Sequence, residues 1–284
     1  MSSHLPPPID LTRHSRAGVR NITPQQNYSS IENETPQEEL QRYWNSLIHI
    51  RELDNKKLKE VIDQIMPYEL AVACKEEDKK AFLNVVRYDP YHDSIAVKWM
   101  DDEGKQIRTI KHRKKRGFEG KWIAYKGTRA NANAQIRIKD PLEPVFILEG
   151  FHDYLTALLV GINFIVVPFK GYRQLTPKEM DHLRQKMHPK HKYDFVFIPD
   201  IDGIDERTHE KKIAKEAIIS LMKQLEPLAY LIDIWDIHEK YEYTRGHEKV
   251  DFSDIFSLAP IEIFKDLEGN LQPYTHIVGE HYFF

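Results

Sequence analysis

The chain has almost no cysteine. Cys74 is the single thiol among 284 residues, which excludes a disulfide framework and any zinc ribbon or cluster built on paired thiolates. A lone cysteine also makes a reducing, cytoplasmic compartment the expected location. No apolar run approaches the ~20 residues of a spanning helix. The N-terminus has prolines and polar residues where a signal peptide would have an apolar core, so no membrane is expected among its partners. Neither charge is in excess: 41 Lys and Arg stand against 44 Asp and Glu, a formal net charge of −3. Without a global basic field, any attraction to nucleic acid has to come from a local patch. The phosphate-binding pattern Gly-x-x-x-x-Gly-Lys-Ser/Thr is missing, which excludes a P-loop motor within this sequence.

What is present divides into segments. Residues 1–36 are rich in Pro, Ser, Asn and Gln, lack apolar periodicity and are expected to be a disordered tail, made mildly basic by Arg13, Arg16 and Arg20. Residues 37–77 read as helical. Thr35, Pro36 and Glu38 form a helix start with a capping box. Leu58, Val61, Ile62 and Ile65 recur at helical spacing, and Pro67 closes that helix. Cys74, in "YELAVACKEE", reads as a small core residue of a helix.

Residues 78–142 change character. "AFLNVVRYD", "SIAVKWMD", "QIRTIKHR" and "KWIAYKG" alternate as strands do, with "DDEG" as a hairpin turn. Positive charge collects in this β-rich region: Lys105, Arg108, Lys111, Arg113, Lys114, Lys115, Arg116, Lys121, Lys126 and Arg129, followed by Arg137 and Lys139.

Residues 143–258 alternate strand and helix. "VFILEG", "FIVVPFKG", "YDFVFIPDIDG" and "AYLIDIW" read as buried strands. "FHDYLTALLVG", "TPKEMDHLRQKMH" and "THEKKIAKEAIISLMKQL" read as the helices between them. The expected fold is α/β, a mainly parallel sheet flanked by helices, preceded by the small antiparallel subdomain and the N-terminal helices. Residues 259–284 form a C-terminal extension.

The strand "FVFI" ends abruptly in Asp200, Asp202 and Asp205. Clustered carboxylates repel and resist dehydration, so such a strand end calls for a positive group. Alternate residues of an extended segment point the same way, which would let Asp200 and Asp202 face one ion. Glu149 closes the first strand of the same unit, and ligands of parallel α/β sheets collect at the carboxyl ends of strands. An oxygen-only donor set suits Mg2+ or Mn2+ rather than zinc.

These motifs resemble the toprim domain, shared by bacterial and phage primases, topoisomerases of types IA and II and several nucleases. That domain pairs a hydrophobic strand ending in Glu-Gly with a later one ending in Asp-x-Asp; here Glu149-Gly150 and Asp200-Ile201-Asp202-Gly203 supply both. Asp153 matches an acidic residue that primases carry soon after Glu-Gly, and Gly171 the glycine after the second strand. "EKVDFSDIFSL" offers Asp251 and Asp254 where primases have a further acidic stretch. "RTIKHRKKRGFEGKWIAYKG" is similar to the basic β-rich preface of primases, through Lys111, Arg113 and Lys121. The resemblance covers residues ~80–258 and implies a primase-like, Mg2+-dependent nucleotidyltransferase that makes primers in replication of a phage, plasmid or other mobile element.

Under that resemblance Asp200 and Asp202 are metal ligands, with Asp251 a further one, and Glu149 is either a ligand or a general base. Asp153 either joins them or serves only its own helix. Lys111, Arg113, Lys121 and Lys126 would hold phosphates of a single-stranded DNA template or of nucleoside triphosphates. Trp122 and Tyr125 either stack bases or belong to the core. His152 and His112 read as packed or solvated, and Asp233 and Asp236 as further acids near the same end. Primases commonly begin with a zinc ribbon, which one cysteine cannot build, so template choice would fall to a separate helicase or replication protein. Two alternatives remain: a toprim endonuclease acting on DNA or RNA, and a non-catalytic nucleic-acid-binding replication accessory protein.

Overall fold

The computed structural model describes residues 35–101, 104–113, 122–125, 133–167, 172–189, 192–201, 207, 214–233, 242–244, 246–247, 249–265 and 268. Helix α1 (Pro36–Ser46) begins with the expected capping box: Glu38 N donates to Thr35 Oγ1, and Thr35 N donates back to the Glu38 carboxylate at 2.8 Å. Helices α2 (Asn55–Ile62), α3 (Tyr68–Ala73) and α4 (Glu76–Val85) follow. Cys74 caps α3; it is buried, and burial pushes its thiol up to about 12.

Strand β1 (Val86–Asp89) starts later than its sequence suggests. The expected strand "AFLNVVRYD" is helical as far as Val85. Asp78, Phe82 and Val85 are buried at spacings of four and three, the signature of a helix face. Strands β2 (Ser94–Met100), β3 (Ile107–Arg113) and β4 (Trp122–Ala124) complete an antiparallel sheet of order β1-β2-β3-β4. The turn before β3 is held by Gly104 N donating to Asp101 O at 3.0 Å, with Gly104 at φ +68.

The larger sheet contains β5 (Gln135–Arg137), β6 (Val145–Glu149), β7 (Asn163–Val167), β8 (Tyr193–Phe197) and β9 (Ala229–Asp233), in the order β5-β7-β6-β8-β9. The last four are mutually parallel, and β5 runs antiparallel along β7. This is the expected α/β architecture with one addition. β5 is only three residues long and sits in a stretch read as part of the basic β region, yet it pairs with the larger sheet. Helices α5 (Gly150–Val160), α6 (Pro177–Lys186) and α7 (Lys215–Leu225) connect the parallel strands, and α8 (Phe252–Leu258) follows. Among the described residues no helix is long and apolar enough to cross a membrane.

Side-chain alternation sorts the strands' apolar residues onto two faces. Phe146, Leu148, Phe164, Val166 and Val196 share one core with α5, α8 and residues of α2, α3 and α4. Val145, Ile147, Ile165, Val167, Phe195 and Phe197 share the other with Met180 and Leu183 of α6 and Ile218, Leu221 and Leu225 of α7. A sheet covered on both faces explains why its strands read as unbroken apolar runs. The small sheet docks through Trp99 of β2. Its ring lies 4.5 Å from that of Phe151 and 4.9 Å from that of Tyr154, and its Nε1 donates to Asn133 O at 2.7 Å. Arg137 and Lys139, counted with the basic patch from sequence, instead form ion pairs with Asp78 of α4.

Candidate active site

Counted along the chain, the parallel strands lie in the order second, first, third, fourth. The strand order therefore reverses between β6 and β8, and ligands of such sheets bind in the crevice outside the carboxyl ends at that reversal. The β6–β8 ladder runs to Ile147 and Phe197, and Ile198 N donates to Ile147 O at 3.3 Å. Glu149 and Asp200 follow at these two strand ends. Gly150 turns β6 directly into α5 at φ +88; a Cβ there would meet nothing within 4 Å, so backbone conformation rather than space calls for glycine.

Asp153 lies one turn into α5 and is 1% exposed. Its Oδ1 accepts the Ser253 N–H at 3.1 Å, and its Oδ2 is buried with no hydrogen-bond partner. Burial, and then the charges of Asp251, Asp200 and Asp254, hold its carboxyl well above the usual range. The acids of the third stretch are brought in by an antiparallel bridge. Ile201 N donates to Val250 O at 2.8 Å, and Val250 N to Ile201 O at 3.2 Å. Asp200 and Asp251, the chain neighbours of these two residues, thus flank one bridge. Asp251 caps α8, accepting Asp254 N at 3.0 Å, while Asp254 Oδ2 accepts Asp251 N at 3.0 Å. Burial and the Asp251 charge lift the Asp254 carboxyl to about 6.

Two participants, Tyr172 and Ser253, are not evident from the sequence, and His152 reads there only as packed or solvated. Tyr172 is buried, and its hydroxyl donates to Ile198 O at 2.7 Å, tying the chain after β7 to the end of β8. Burial and the charges of Asp200, Glu149 and Asp153 raise that hydroxyl's pKa, which places it in the field of all three acids. His152 is packed rather than solvated: Nε2 lies 3.1 Å from Gln64 O and Nδ1 2.8 Å from Ser253 Oγ. Ser253 is itself fully buried. Each of these contacts joins distant parts of the chain, and no local pattern announces them.

The other residues singled out from sequence stand as follows. Lys111 and Arg113 are on β3, Lys111 in register with Val97 of β2 and Arg113 with Trp122 of β4. Tyr125 stacks on Tyr43 of α1 with centroids 3.9 Å apart, a packing role. Asp233 ends β9. Asp202, Gly171, Lys121, Lys126 and Asp236 lie outside the described residues.

The donor chemistry of the crevice fits a hard divalent cation. It offers carboxylates, a buried carboxyl oxygen without a partner on Asp153, and acids that raise one another's pKa. Among the described residues no three His, Cys, Asp or Glu side chains converge closely enough to hold an ion. A complete ligand set would need Asp202, the second carboxylate of Asp-x-Asp.

No protein-family model matches the chain, and no curated protein matches it in sequence. Among solved structures, a DNA primase domain from Pseudomonas aeruginosa aligns with 72% of this chain at 13% identity and a TM-score of 0.32. The chain covers 63% of the length of that structure. A likeness this loose carries no functional argument.

Proposed function

We propose that the crevice between β6 and β8 is the active site of a toprim-type, metal-dependent enzyme of phosphodiester chemistry, and that the reaction is primase-like nucleotidyl transfer on single-stranded DNA. The observation that carries this reading is the placement of Asp200 and Asp251 beside the Ile201–Val250 bridge, with the buried Asp153 tied to the same helix start through Ser253, at the point where strand order reverses and beside the strand end that carries Glu149. Three separate stretches of sequence supply these acids, and a parallel sheet brings them to one end.

Asp200, Asp202 and Asp251 would hold Mg2+ or Mn2+, and Glu149 stands as a further ligand or as the base that takes the proton of the attacking hydroxyl. A bound divalent cation would supply charge stabilisation at the reacting phosphate and lower the pKa of that hydroxyl. Asp153, dehydrated in the wall of the crevice, has its carboxyl pushed toward the neutral form, so the negative potential that would draw a cation in comes from the less buried Glu149, Asp200 and Asp251. Lys111, Arg113, Lys121 and Lys126 supply cations for template and nucleotide phosphates.

The test is incubation with single-stranded DNA, labelled nucleoside triphosphates and Mg2+ or Mn2+. New oligonucleotides are the expected product. Cleavage without synthesis would identify a nuclease using the same carboxylates, and no reaction would identify a non-catalytic nucleic-acid-binding protein. Asp200→Asn combined with Asp202→Asn should abolish the metal-dependent reaction while leaving the circular dichroism spectrum unchanged. Undiminished activity in that double variant would remove the crevice as the active site.

A further inference from the structure

We propose that Ser253 is a positioning residue that sets Asp251 and Asp153 against each other, so that cation binding in the crevice depends on the Ser253 hydroxyl. This rests on the reading of the crevice as a metal site. Ser253 is 0% exposed in the first turn of α8. Its backbone N–H donates to Asp153 Oδ1 at 3.1 Å, and its hydroxyl donates to Asp251 Oδ1 at 2.6 Å. The same hydroxyl accepts from His152 Nδ1 at 2.8 Å, and His152 Nε2 donates to Gln64 O at 3.1 Å, an arrangement in which both ring nitrogens carry a proton and the hydroxyl's single proton goes to Asp251. One residue of α8 therefore engages two consecutive residues of α5, and the polar chain ends on backbone just beyond α2.

Helix capping does not account for this hydroxyl. The reciprocal pair Asp251–Asp254 already caps α8. Nor does packing account for it. A buried polar chain among like charges costs stability unless every member is satisfied, and an apolar set of the same volume would avoid that cost. What the arrangement does achieve is orientation. Both hydrogen bonds of the Asp251 side chain fall on Oδ1, and Oδ2 accepts none among the described residues. The hydroxyl thus fixes the plane of the carboxylate and leaves one oxygen for a ligand. Partners that orient metal ligands in this way are typically worth about 10–100-fold in metal affinity.

The experiment measures Mn2+ binding alone, by calorimetry or by the spin resonance signal of free Mn2+, on the full chain. Ser253→Ala keeps the N–H to Asp153 and removes only the hydroxyl. Its Mn2+ affinity is expected to fall about 10–100-fold, with the near-ultraviolet circular dichroism of the protein retained. Ser253→Thr keeps the hydroxyl and adds a methyl group, and is expected to bind Mn2+ within about threefold of wild type even if the methyl lowers its melting temperature. If Ser253→Ala fails to fold, Ser253→Cys, whose thiol is a weak donor, takes its place. In an Asp251→Asn background the Ser253→Ala loss should largely vanish, because the hydroxyl acts through that carboxylate. A threonine variant as weak as the alanine one, fully additive losses with Asp251→Asn, or unchanged affinity in Ser253→Ala would each overturn the positioning role while leaving the metal site standing. Absence of Mn2+ binding in the wild type would overturn the metal site, and this role with it.

Discussion

The carboxyl group of Asp254 is lifted to about 6, by burial first and by Asp251 second. A carboxyl whose folded pKa exceeds its unfolded one binds its proton more tightly in the native state. Its contribution to stability is complete below about pH 4 and is lost as pH rises through about 6. Asp153 is raised by burial and by its acidic neighbours, so it acts in the same direction. Asp254→Asn removes one of these like charges and keeps an oxygen for the Asp251 N–H. Without divalent cations, the melting temperature of Asp254→Asn should gain on wild type between about pH 4 and about pH 7, and level off above that. Mg2+ should narrow that gain by neutralising the wild-type cluster. A difference that stays flat across the window would show that the acids do not repel one another as their placement implies.

Elements carry two further expectations. Gly161 ends α5 at φ +78, and a Cβ there would come within 2.2 Å of Asp78 Oδ2. Asp78 is 1% exposed and receives Arg137 and Lys139. Gly161→Ala thus forces a left-handed backbone on an L side chain, about 1–2 kcal/mol, and displaces a buried ion-pair network as well. Its stability by urea unfolding should fall by more than that conformational cost alone. A loss under about 1 kcal/mol would mean that α4 and α5 yield readily at their contact. The small sheet is the second case. Replacing Lys111, Arg113 and Lys121 by Ala should weaken single-stranded DNA binding at every sequence. If each contacts one phosphate, the slope of log affinity against log salt should shrink by about 2, because single strands give roughly 0.7 per contact. Equal slopes in wild type and variant would assign the template track to another surface.

At the scale of the whole molecule, the N-terminal helices share the core of the α/β unit. Ile50, Leu58, Val61, Ile62, Ile65, Met66, Leu70 and Ala71 are buried in the cluster that contains Phe146, Leu148 and most of α5. The larger of these side chains each stabilise by about 1.5–3 kcal/mol when buried, and together they rival the ~5–15 kcal/mol net stability of a typical domain. Removal of residues 1–77 should therefore give insoluble protein. Removal of residues 1–34 should leave the melting temperature unchanged, since the capping box at Thr35 starts α1 independently. A soluble, cooperatively melting fragment from residue 78 onward would make the helices a separable recognition module instead of structural cover.

The sequence by itself determined whatever depends on near neighbours. The capping box at Thr35–Glu38, the alternation of parallel strands with helices, and the acids closing β6 and β8 are local patterns, because caps, periodicity and strand ends are set within a few residues. Only the tertiary structure decided which strands adjoin. The three residues of β5 carry too little pattern to reveal that they border β7, and the run ending at Val85 became helix because one of its faces is buried. The order β7-β6-β8-β9 sets the ends of β6 and β8 side by side where the strand order reverses, and the Ile201–Val250 bridge carries Asp251 to Asp200. Tyr172, His152 and Ser253 reach that crevice through contacts spanning 26 to 101 residues. Such contacts form only after the packing of both sheet faces has fixed where each element lies, and hydrogen bonds between distant segments leave no periodicity in the chain that makes them.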